Sequence, residues 1–220
     1  MAKRTQAKAV PRTPLSKERV LRAAVELADA HGVEAVSMRR LAQELGVEAM
    51  SLYNHVANKD EILDGLVETV ASEVEIPSDA DDWKGALRTI AVSAREVLVR
   101  HRWASSLWMA RGKPGPARLA YGEALLRTLR EGGFSEDLTY HAFHILEALI
   151  LGVATMHMNL PREGELAKMA ERFADLVPVD EYPYLVEHVR QHMDPRMAEQ
   201  SGYEFGIDLI IDGLERARDA

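Results

Sequence analysis

The chain has 220 residues, of which 47% are hydrophobic and 28% are charged, a composition typical of a globular protein with a buried core. It contains no cysteine, which excludes disulfides and any chemistry that needs a thiolate, and its net charge is −8. The basic N-terminus lacks the apolar segment of a secretory signal, and the most apolar stretch, residues 142–160, is interrupted by two histidines and a glutamate. We therefore expect a soluble, cytoplasmic protein without a membrane span.

The charge is distributed unevenly along the chain. Residues 1–60 hold ten basic and seven acidic side chains, whereas residues 61–220 hold seventeen basic and twenty-eight acidic ones. An acidic body is repelled by DNA, so any contact with nucleic acid is expected at the N-terminal end alone.

Apolar residues recur at helical spacing along the N-terminal third, and no segment alternates as a β-strand would. The first 14 residues hold four basic side chains and two prolines, which predicts a flexible arm that is either solvated or follows DNA. Four helices are then expected over residues 16–31, 37–45, 48–55 and 58–76. Three of them have a suitable N-cap, namely Ser16, Ser37 and Asn58, and Glu61 occupies the capping-box position after Asn58.

The rest of the chain is also predicted to be helical, with longer elements. Apolar spacing with glycine or proline breaks predicts helices over residues 81–101, 103–110, 117–131, 135–160 and 203–217. Residues 163–193 are polar and show a weaker helical pattern. The helix over residues 135–160 is apolar on most faces, which predicts burial on most faces. The fold class is therefore all-α.

The most informative segment is residues 37–59, SMRRLAQELGVEAMSLYNHVANK, which forms two short helices joined by a turn at Gly46. Glycine suits such a turn because it adopts positive φ without a Cβ clash. Leu41, Leu45 and Leu52 would pack the helices together, and the second of the two would expose a small, largely polar face. A helix with that face fits the major groove of DNA.

These residues resemble the DNA-binding domain of the tetracycline-repressor (TetR) family over residues 15–70. The segments LAQELGV, SLYNHV and NKDEILDGL resemble its turn, recognition helix and connecting helix, and YEFGIDLIIDGL near the C-terminus resembles the last helix of the tetracycline-repressor branch. The resemblance implies an N-terminal three-helix helix-turn-helix DNA-binding domain over residues 15–60 and a C-terminal helical ligand-binding and dimerisation domain over residues 61–220.

The resemblance also implies a function. It predicts a homodimeric transcriptional regulator, most often a repressor, that binds a palindromic operator in double-stranded DNA and leaves it when a small-molecule effector binds. No cofactor is expected. Activation rather than repression of transcription stays open.

Seven residues match positions that contact DNA in the family: Arg39, Ala49, Met50, Ser51, Tyr53, His55 and Lys59. Tyr53 and Lys59 would contact phosphates. Ala49 and Met50 stand where the tetracycline repressor has a Gln-Pro pair that helps to read bases, and neither can form bidentate hydrogen bonds. The operator should therefore differ from that of the tetracycline repressor. The alternatives are a packed Tyr53, a His55 that only ends its helix, and solvated arginines.

The resemblance places the dimer interface on the last helix, in a four-helix bundle with the long helix. The expected interface residues are Gly206, Leu209, Ile210, Gly213 and Leu214. The two glycines lie seven residues apart on one face, where close helix approach would compensate their cost in a helix interior. The alternative is that these residues pack inside the monomer.

An effector pocket should be mostly apolar with a few polar groups. The candidate lining residues are Trp103, Trp108, Met109, Leu125, His141, His144, Glu147 and His157. The segment SSLWMARGKP has no clear equivalent of the metal-chelating histidine of the tetracycline repressor, so magnesium-tetracycline is not the predicted effector.

Two other function classes compete with this interpretation. His141, His144 and Glu147 follow each other at steps of three on one helix and could begin a metal site of a helical enzyme, although no second motif of this kind and no nucleotide-binding or nucleophile motif is present. A protein-interaction module that kept the helix-turn-helix fold is the other alternative. The polar set on an exposed face, suited to phosphates, argues against it: Arg39, Ser51, Tyr53, His55 and Lys59.

Overall fold

A computed structural model describes residues 14–78, 82–159, 165–191 and 202–220, so the basic arm lies almost entirely outside the described residues. Within these ranges the regular structure is helical, which confirms the predicted fold class. The chain divides into two compact units, Met1–Leu66 and Val67–Ala220.

The N-terminal unit is built from short helices. They are α1 (Lys17–His31), a single 3₁₀ turn (Val33–Ala35), α2 (Met38–Leu45), α3 (Ala49–Leu52) and the first part of α4 (Lys59–Ala71). α1 packs against α2, and α2 packs against α3. Their core is formed by fully buried side chains that include Val20, Leu41, Leu52 and Ile62.

The predicted N-caps are confirmed. The Ser16 hydroxyl accepts a hydrogen bond from the Arg19 amide at 3.2 Å, and the Ser37 hydroxyl accepts one from the Arg40 amide at 3.3 Å. These side chains satisfy backbone donors that the first turn of each helix leaves without an intrahelical partner.

The start of α4 carries the predicted capping pair. The Glu61 amide donates to the Asn58 side chain at 2.9 Å, while the Glu61 carboxylate accepts from the Ala57 amide at 2.6 Å, one residue earlier than in a standard capping box. The same carboxylate pairs with the Lys17 ammonium at 2.5 Å, which fixes α4 to α1. The amide and the ammonium lower the pKa of Glu61.

Two predicted helices are shorter than expected. α3 ends at Leu52, and the chain continues as a hydrogen-bonded turn in which the amides of His55 and Val56 both donate to the Leu52 carbonyl. α4 ends at Ala71, well before Pro77, because the Ser72 hydroxyl donates to the Thr69 carbonyl and the next amides bond three residues back.

The C-terminal unit holds the longer helices. They are α5 (Trp83–Arg100), α6 (Ala104–Ala110), α7 (Pro116–Glu131), α8 (Glu136–Asn159), α9 (Glu165–Leu176), α10 (Pro183–Gln191) and α11 (Gly202–Arg218). α8 packs against α5, α6, α7 and α11, and α9 packs against α10. The polar segment after α8 thus forms two helices despite its weak pattern.

α8 is less buried than its composition predicts, so the expected burial on most faces is wrong for a single protomer. Tyr140, Ile145 and Met156 are exposed on it, as are Phe205 and Leu209 on the neighbouring α11. Within the described ranges, α8 is the one helix long and apolar enough to span a bilayer, with a mean hydropathy of 1.3 over Glu136–Met156. The core helix of a helical domain has the same properties, and α8 packs against four other helices.

Candidate nucleic-acid interface and effector site

The turn between α2 and α3 depends on one glycine. Gly46 adopts φ 64° and ψ 38°, and its amide and that of Val47 close the end of α2 by donating to the carbonyls of Gln43 and Ala42. A residue with a Cβ is strained in this left-handed conformation. The turn therefore sets the angle at which α3 leaves α2.

α3 has a buried side and an exposed side. Leu52 is fully buried in the core of the N-terminal unit, and Val56 is 1% exposed. The predicted DNA-contacting residues are all accessible: Arg39, Met50, Tyr53 and Lys59 are exposed, and Ala49, Ser51 and His55 are half-buried. Tyr53 keeps 48% of its surface exposed, which excludes the alternative of a packed core aromatic.

The C-terminal unit contains a hydrogen-bonded cluster between α6, α7 and α8. The Tyr121 side chain is 3% exposed, and its hydroxyl donates to the Glu147 carboxylate at 2.6 Å. Trp108 meets the Tyr121 ring edge-on, with ring centroids 5.4 Å apart. The Arg118 guanidinium lies 5.5 Å from the Trp108 ring and donates to the carbonyls of Trp108 and Arg111.

Burial shifts the proton equilibria in this cluster. Burial raises the pKa of Glu147, against the opposing effects of the Tyr121 hydrogen bond and of the Arg118 charge. Burial and the adjacent Glu147 carboxylate raise the pKa of Tyr121 well above its usual value. Tyr121 is therefore the proton donor in the pair.

A second polar group lies between α5 and α11. The Tyr203 hydroxyl donates to the Ala91 carbonyl at 2.7 Å, and the Arg95 guanidinium lies 5.3 Å from the Tyr203 ring centroid. The Arg95 Nε is buried and has no hydrogen-bond partner among the described residues. α11, which carries Tyr203, and α7, which carries Tyr121, both pack against α5 and α8, so the two groups belong to one interior region.

The predicted pocket residues divide into two sets. Trp103, Trp108 and Leu125 are buried and Glu147 is half-buried, whereas Met109, His141 and His144 are exposed. His157 lies on α8, but its side chain is outside the described residues. Of the two exposed histidines, His144 uses its Nδ1 to donate to the Tyr140 carbonyl at 2.8 Å. Within the described part of the chain, no three histidine or carboxylate side chains meet as metal ligands would.

Four residues of this region were not predicted from the sequence: Arg95, Arg118, Tyr121 and Tyr203. Arg95 had a detectable signal, because it sits among the buried residues Ala91, Ala94 and Leu98 of α5. A charged residue within the buried stripe of an amphipathic helix calls for a partner. The sequence around Arg118, Tyr121 and Tyr203 contains no pattern that would mark them as members of a site.

The predicted dimer residues on α11 also differ in placement. Leu209 is 54% exposed and Ile210 is half-buried, whereas Leu214 is 6% exposed and packs inside the protomer. A Cβ on Gly206 would touch the Leu149 side chain of α8, but a Cβ on Gly213 would meet nothing within 4 Å. Phe205, absent from the predicted set, is 67% exposed.

The second half of α4 is tied to the start of α7. The Glu68 carboxylate accepts hydrogen bonds from the Gly115 amide at 3.0 Å and from the Ala117 amide at 2.7 Å. Gly115 is the N-cap of α7 and has no side chain for that role, and Pro116 has no amide hydrogen. Glu68 therefore caps α7 from another helix.

Comparison with known sequences agrees with this architecture. Residues 20–66 match the bacterial regulatory proteins of the tetR family, and residues 76–218 match the tetracyclin repressor-like C-terminal domain. The transcriptional repressor DrrR1 of Streptomyces coeruleorubidus is 31% identical over 93% of this chain and 79% of its own length. The class D tetracycline repressor protein of Escherichia coli is 31% identical over 91% of this chain and 89% of its own length.

Solved structures of the same family superpose on this chain over nearly its whole length. ActR from Streptomyces coelicolor, in complex with actinorhodin, superposes with a TM-score of 0.75 at 30% identity, over 94% of this chain and all of that chain. Its apo form superposes with a TM-score of 0.72 over the same share of each chain. The chain therefore belongs to the tetR family of bacterial regulatory proteins, with a DNA-binding helix-turn-helix followed by an effector-binding domain of the tetracycline-repressor type.

Proposed function

We propose that the chain is a cytoplasmic, homodimeric transcriptional repressor, without enzymatic activity, that leaves a palindromic operator when a small organic effector binds. The observation that carries this proposal is the exposed face of α3 and its flanks, where accessible polar and basic side chains surround a helix whose other side is buried. Family membership supports the DNA-binding role.

On the operator, two kinds of contact are expected. Tyr53 and Lys59 bind phosphates and fix the position of α3, whereas Arg39, Ser51 and His55 lie where they can reach bases or phosphates. Ala49 and the 75%-exposed Met50 offer only apolar contact, for which the methyl group of thymine is the suitable partner.

The exposed apolar residues of α8 and α11 are the proposed dimer interface. Tyr140, Ile145, Phe205 and Leu209 are all exposed on two helices that pack together. Gly213 leaves open space on α11 that allows a second helix to approach. A two-fold dimer places its recognition helices in half-sites about 34–36 Å apart, or a multiple of that distance, so its operator is a palindrome.

The effector is proposed to bind in the interior of the C-terminal unit, against Trp103, Trp108, Leu125 and Glu147. Met109, His141 and His144 are exposed and lie outside this proposed effector site. The complex of the TetR family protein ActR with actinorhodin supports an organic effector, since the structure of that protein superposes on this chain. The lack of an equivalent metal-chelating histidine argues against magnesium-tetracycline.

Effector binding is proposed to act through α4. Glu68 joins α4 to the start of α7, and α7 carries Tyr121 and Arg118, so a shift of α7 pulls on the helix that continues to Lys59. Reversing a 99:1 preference between two conformers requires about 5.5 kcal/mol of differential effector binding. The effector therefore has to bind one position of α7 much more tightly than the other.

Selection from genomic DNA tests the proposal. Purified protein is incubated with sheared DNA of its source, and the fragments retained at moderate salt are sequenced. Enrichment of a short palindrome is expected. Absence of enrichment from protein that mass spectrometry shows to be free of co-purified small molecules would contradict the proposal.

A further inference from the structure

We infer that the effector is an aromatic anion and that Arg95 is the residue that binds its negative charge, an inference that rests on the proposed effector-binding function. Arg95 lies on α5, whereas most of the pocket residues predicted from the sequence lie on α6, α7 and α8.

Polar side chains from four helices converge in this interior region. Arg95 of α5 lies over the ring of Tyr203 of α11, Tyr121 of α7 donates to Glu147 of α8, and α7 and α11 each pack against both α5 and α8. Polar groups that meet from separate helices inside an otherwise apolar domain are typical of a ligand site.

Arg95 is the member of this group whose hydrogen bonding is incomplete. Arg95 is half-buried, but its Nε is fully buried and has no hydrogen-bond partner among the described residues. An unpaired buried donor on a cation is costly, and a bound ligand is one of the explanations for such a group in a native structure. A carboxylate or sulfonate fits a guanidinium, because two of its oxygens can accept two parallel hydrogen bonds.

The charge balance of the region favours an anion. The guanidinium groups of Arg95 and Arg118 each lie over an aromatic ring of this region, and among the described residues the carboxyl group that hydrogen-bonds to one of its tyrosines is that of Glu147. The hydrogen bonds of Arg118 go to the carbonyls of Trp108 and Arg111, so these bonds do not pair its charge with a carboxylate. Burial also raises the pKa of Glu147, which weakens the one negative charge in the region.

The aromatic part of the ligand follows from the surrounding rings. Trp108, Tyr121 and Tyr203 are buried, and two of them already carry a stacked guanidinium group. A planar ligand can stack on these rings or on the guanidinium planes, and its acidic group then meets Arg95. A neutral aliphatic molecule would leave the buried Nε of Arg95 without a hydrogen-bond partner.

The test uses two fluorescent probes that differ in charge. 8-Anilinonaphthalene-1-sulfonate is an aromatic anion, and N-phenyl-1-naphthylamine is the same ring system without the sulfonate. We expect the wild-type protein to bind the sulfonate at least about tenfold more tightly than the neutral probe, a difference of about 1.4 kcal/mol. Arg95→Gln should abolish this preference and leave the affinity for the neutral probe unchanged.

Matched variants control for folding and for surface charge. Arg127→Gln removes an exposed arginine of α7 and should leave both affinities unchanged. Arg95→Lys keeps the positive charge but loses the paired hydrogen bonds, so it should keep only part of the preference for the sulfonate, which covers the case that Arg95→Gln does not fold. Equal affinity of wild type for the two probes, or an unchanged preference in folded Arg95→Gln, would overturn the inference.

The same preparations separate this inference from the proposed function. Protein that binds its operator but shows no dependence of sulfonate binding on Arg95 contradicts the aromatic-anion inference alone. Protein that binds no operator contradicts the proposed function, whatever the probes show.

Discussion

The Glu68 carboxylate lies so close to Gly115 that a side chain on Gly115 cannot fit beside it. A Cβ added there would lie 2.4 Å from the Glu68 carboxyl carbon, far inside van der Waals contact. The approach lets Glu68 accept the Gly115 and Ala117 amides at the start of α7. It connects the helix that leads to the DNA-binding unit with the helix that carries Tyr121.

Gly115→Ala is expected to break this connection. The flexible Glu68 side chain can move away, so the cost is the loss of two hydrogen bonds, about 1–2 kcal/mol of unfolding free energy. Gly112→Ala in the same loop is the matched control, because a Cβ there meets nothing within 4 Å. The measurement is a denaturant titration of both variants, alone and combined with Glu68→Ala. In the Glu68→Ala background, Gly115→Ala should cost nothing; an equal cost in both backgrounds would show that the two residues are not coupled.

Tyr53→Ala is expected to lower operator affinity by at least about tenfold, or 1.4 kcal/mol, without changing the dimer. The reason is that Tyr53 lies exposed on α3 and is not part of the core. Tyr184→Ala, at an 84%-exposed tyrosine of α10, is the control and should bind as wild type does. Fluorescence anisotropy with a labelled operator gives the affinities, and unchanged binding by Tyr53→Ala would remove Tyr53 from the interface.

Leu209→Glu is expected to convert the dimer into monomers. Leu209 is 54% exposed on α11, and a carboxylate at this position would be buried without a partner in an apolar interface. Leu176→Glu, at an 81%-exposed leucine of α9, makes the same change away from the proposed interface. Sedimentation velocity should show a monomer for the first variant and a dimer for the second. A dimeric Leu209→Glu protein would place the interface elsewhere.

Glu147→Gln is expected to stabilise the protein in a pH-dependent way. Burial raises the pKa of Glu147 in the folded state, so the wild type loses stability as the pH rises from about 4.5 through that higher pKa. Glutamine imitates the protonated form and still accepts the Tyr121 hydrogen bond. The Tm of Glu147→Gln should therefore equal that of wild type in acid and exceed it most at neutral pH. The exposed Glu123→Gln of α7 is the control, and a less stable Glu147→Gln at neutral pH would contradict the assignment.

The N-terminal unit could be predicted from sequence because its signals are local. Ser16, Ser37 and Asn58 each cap a helix that begins at the next residue, and Gly46 supplies the positive φ of the turn within one short segment. The errors there concern helix ends. A hydrogen bond from a side-chain hydroxyl, such as that of Ser72, decides where the last turn of the helix ends. The spacing of apolar residues in the sequence does not reveal such a bond.

The interior of the C-terminal unit could not be predicted in the same way. Tyr121 and Glu147 are 26 positions apart, and Tyr203 bonds to a carbonyl 112 positions earlier, so these pairs arise from the packing of distant helices. The apolar composition of α8 predicted burial, but composition does not say whether its own chain or a partner covers a given face. For this reason the exposed Tyr140 and Ile145 became visible only in the structure.

The central claim is sequence-specific binding of DNA by a dimer. The most direct measurement is an anisotropy titration of the palindromic duplex recovered from genomic DNA against a scrambled duplex of equal composition, at physiological salt. We expect one dimer per palindrome and an affinity at least about a thousandfold higher than for the scrambled duplex. Equal affinity for the two duplexes, or saturation by a single protomer, would contradict sequence-specific binding of DNA by a dimer.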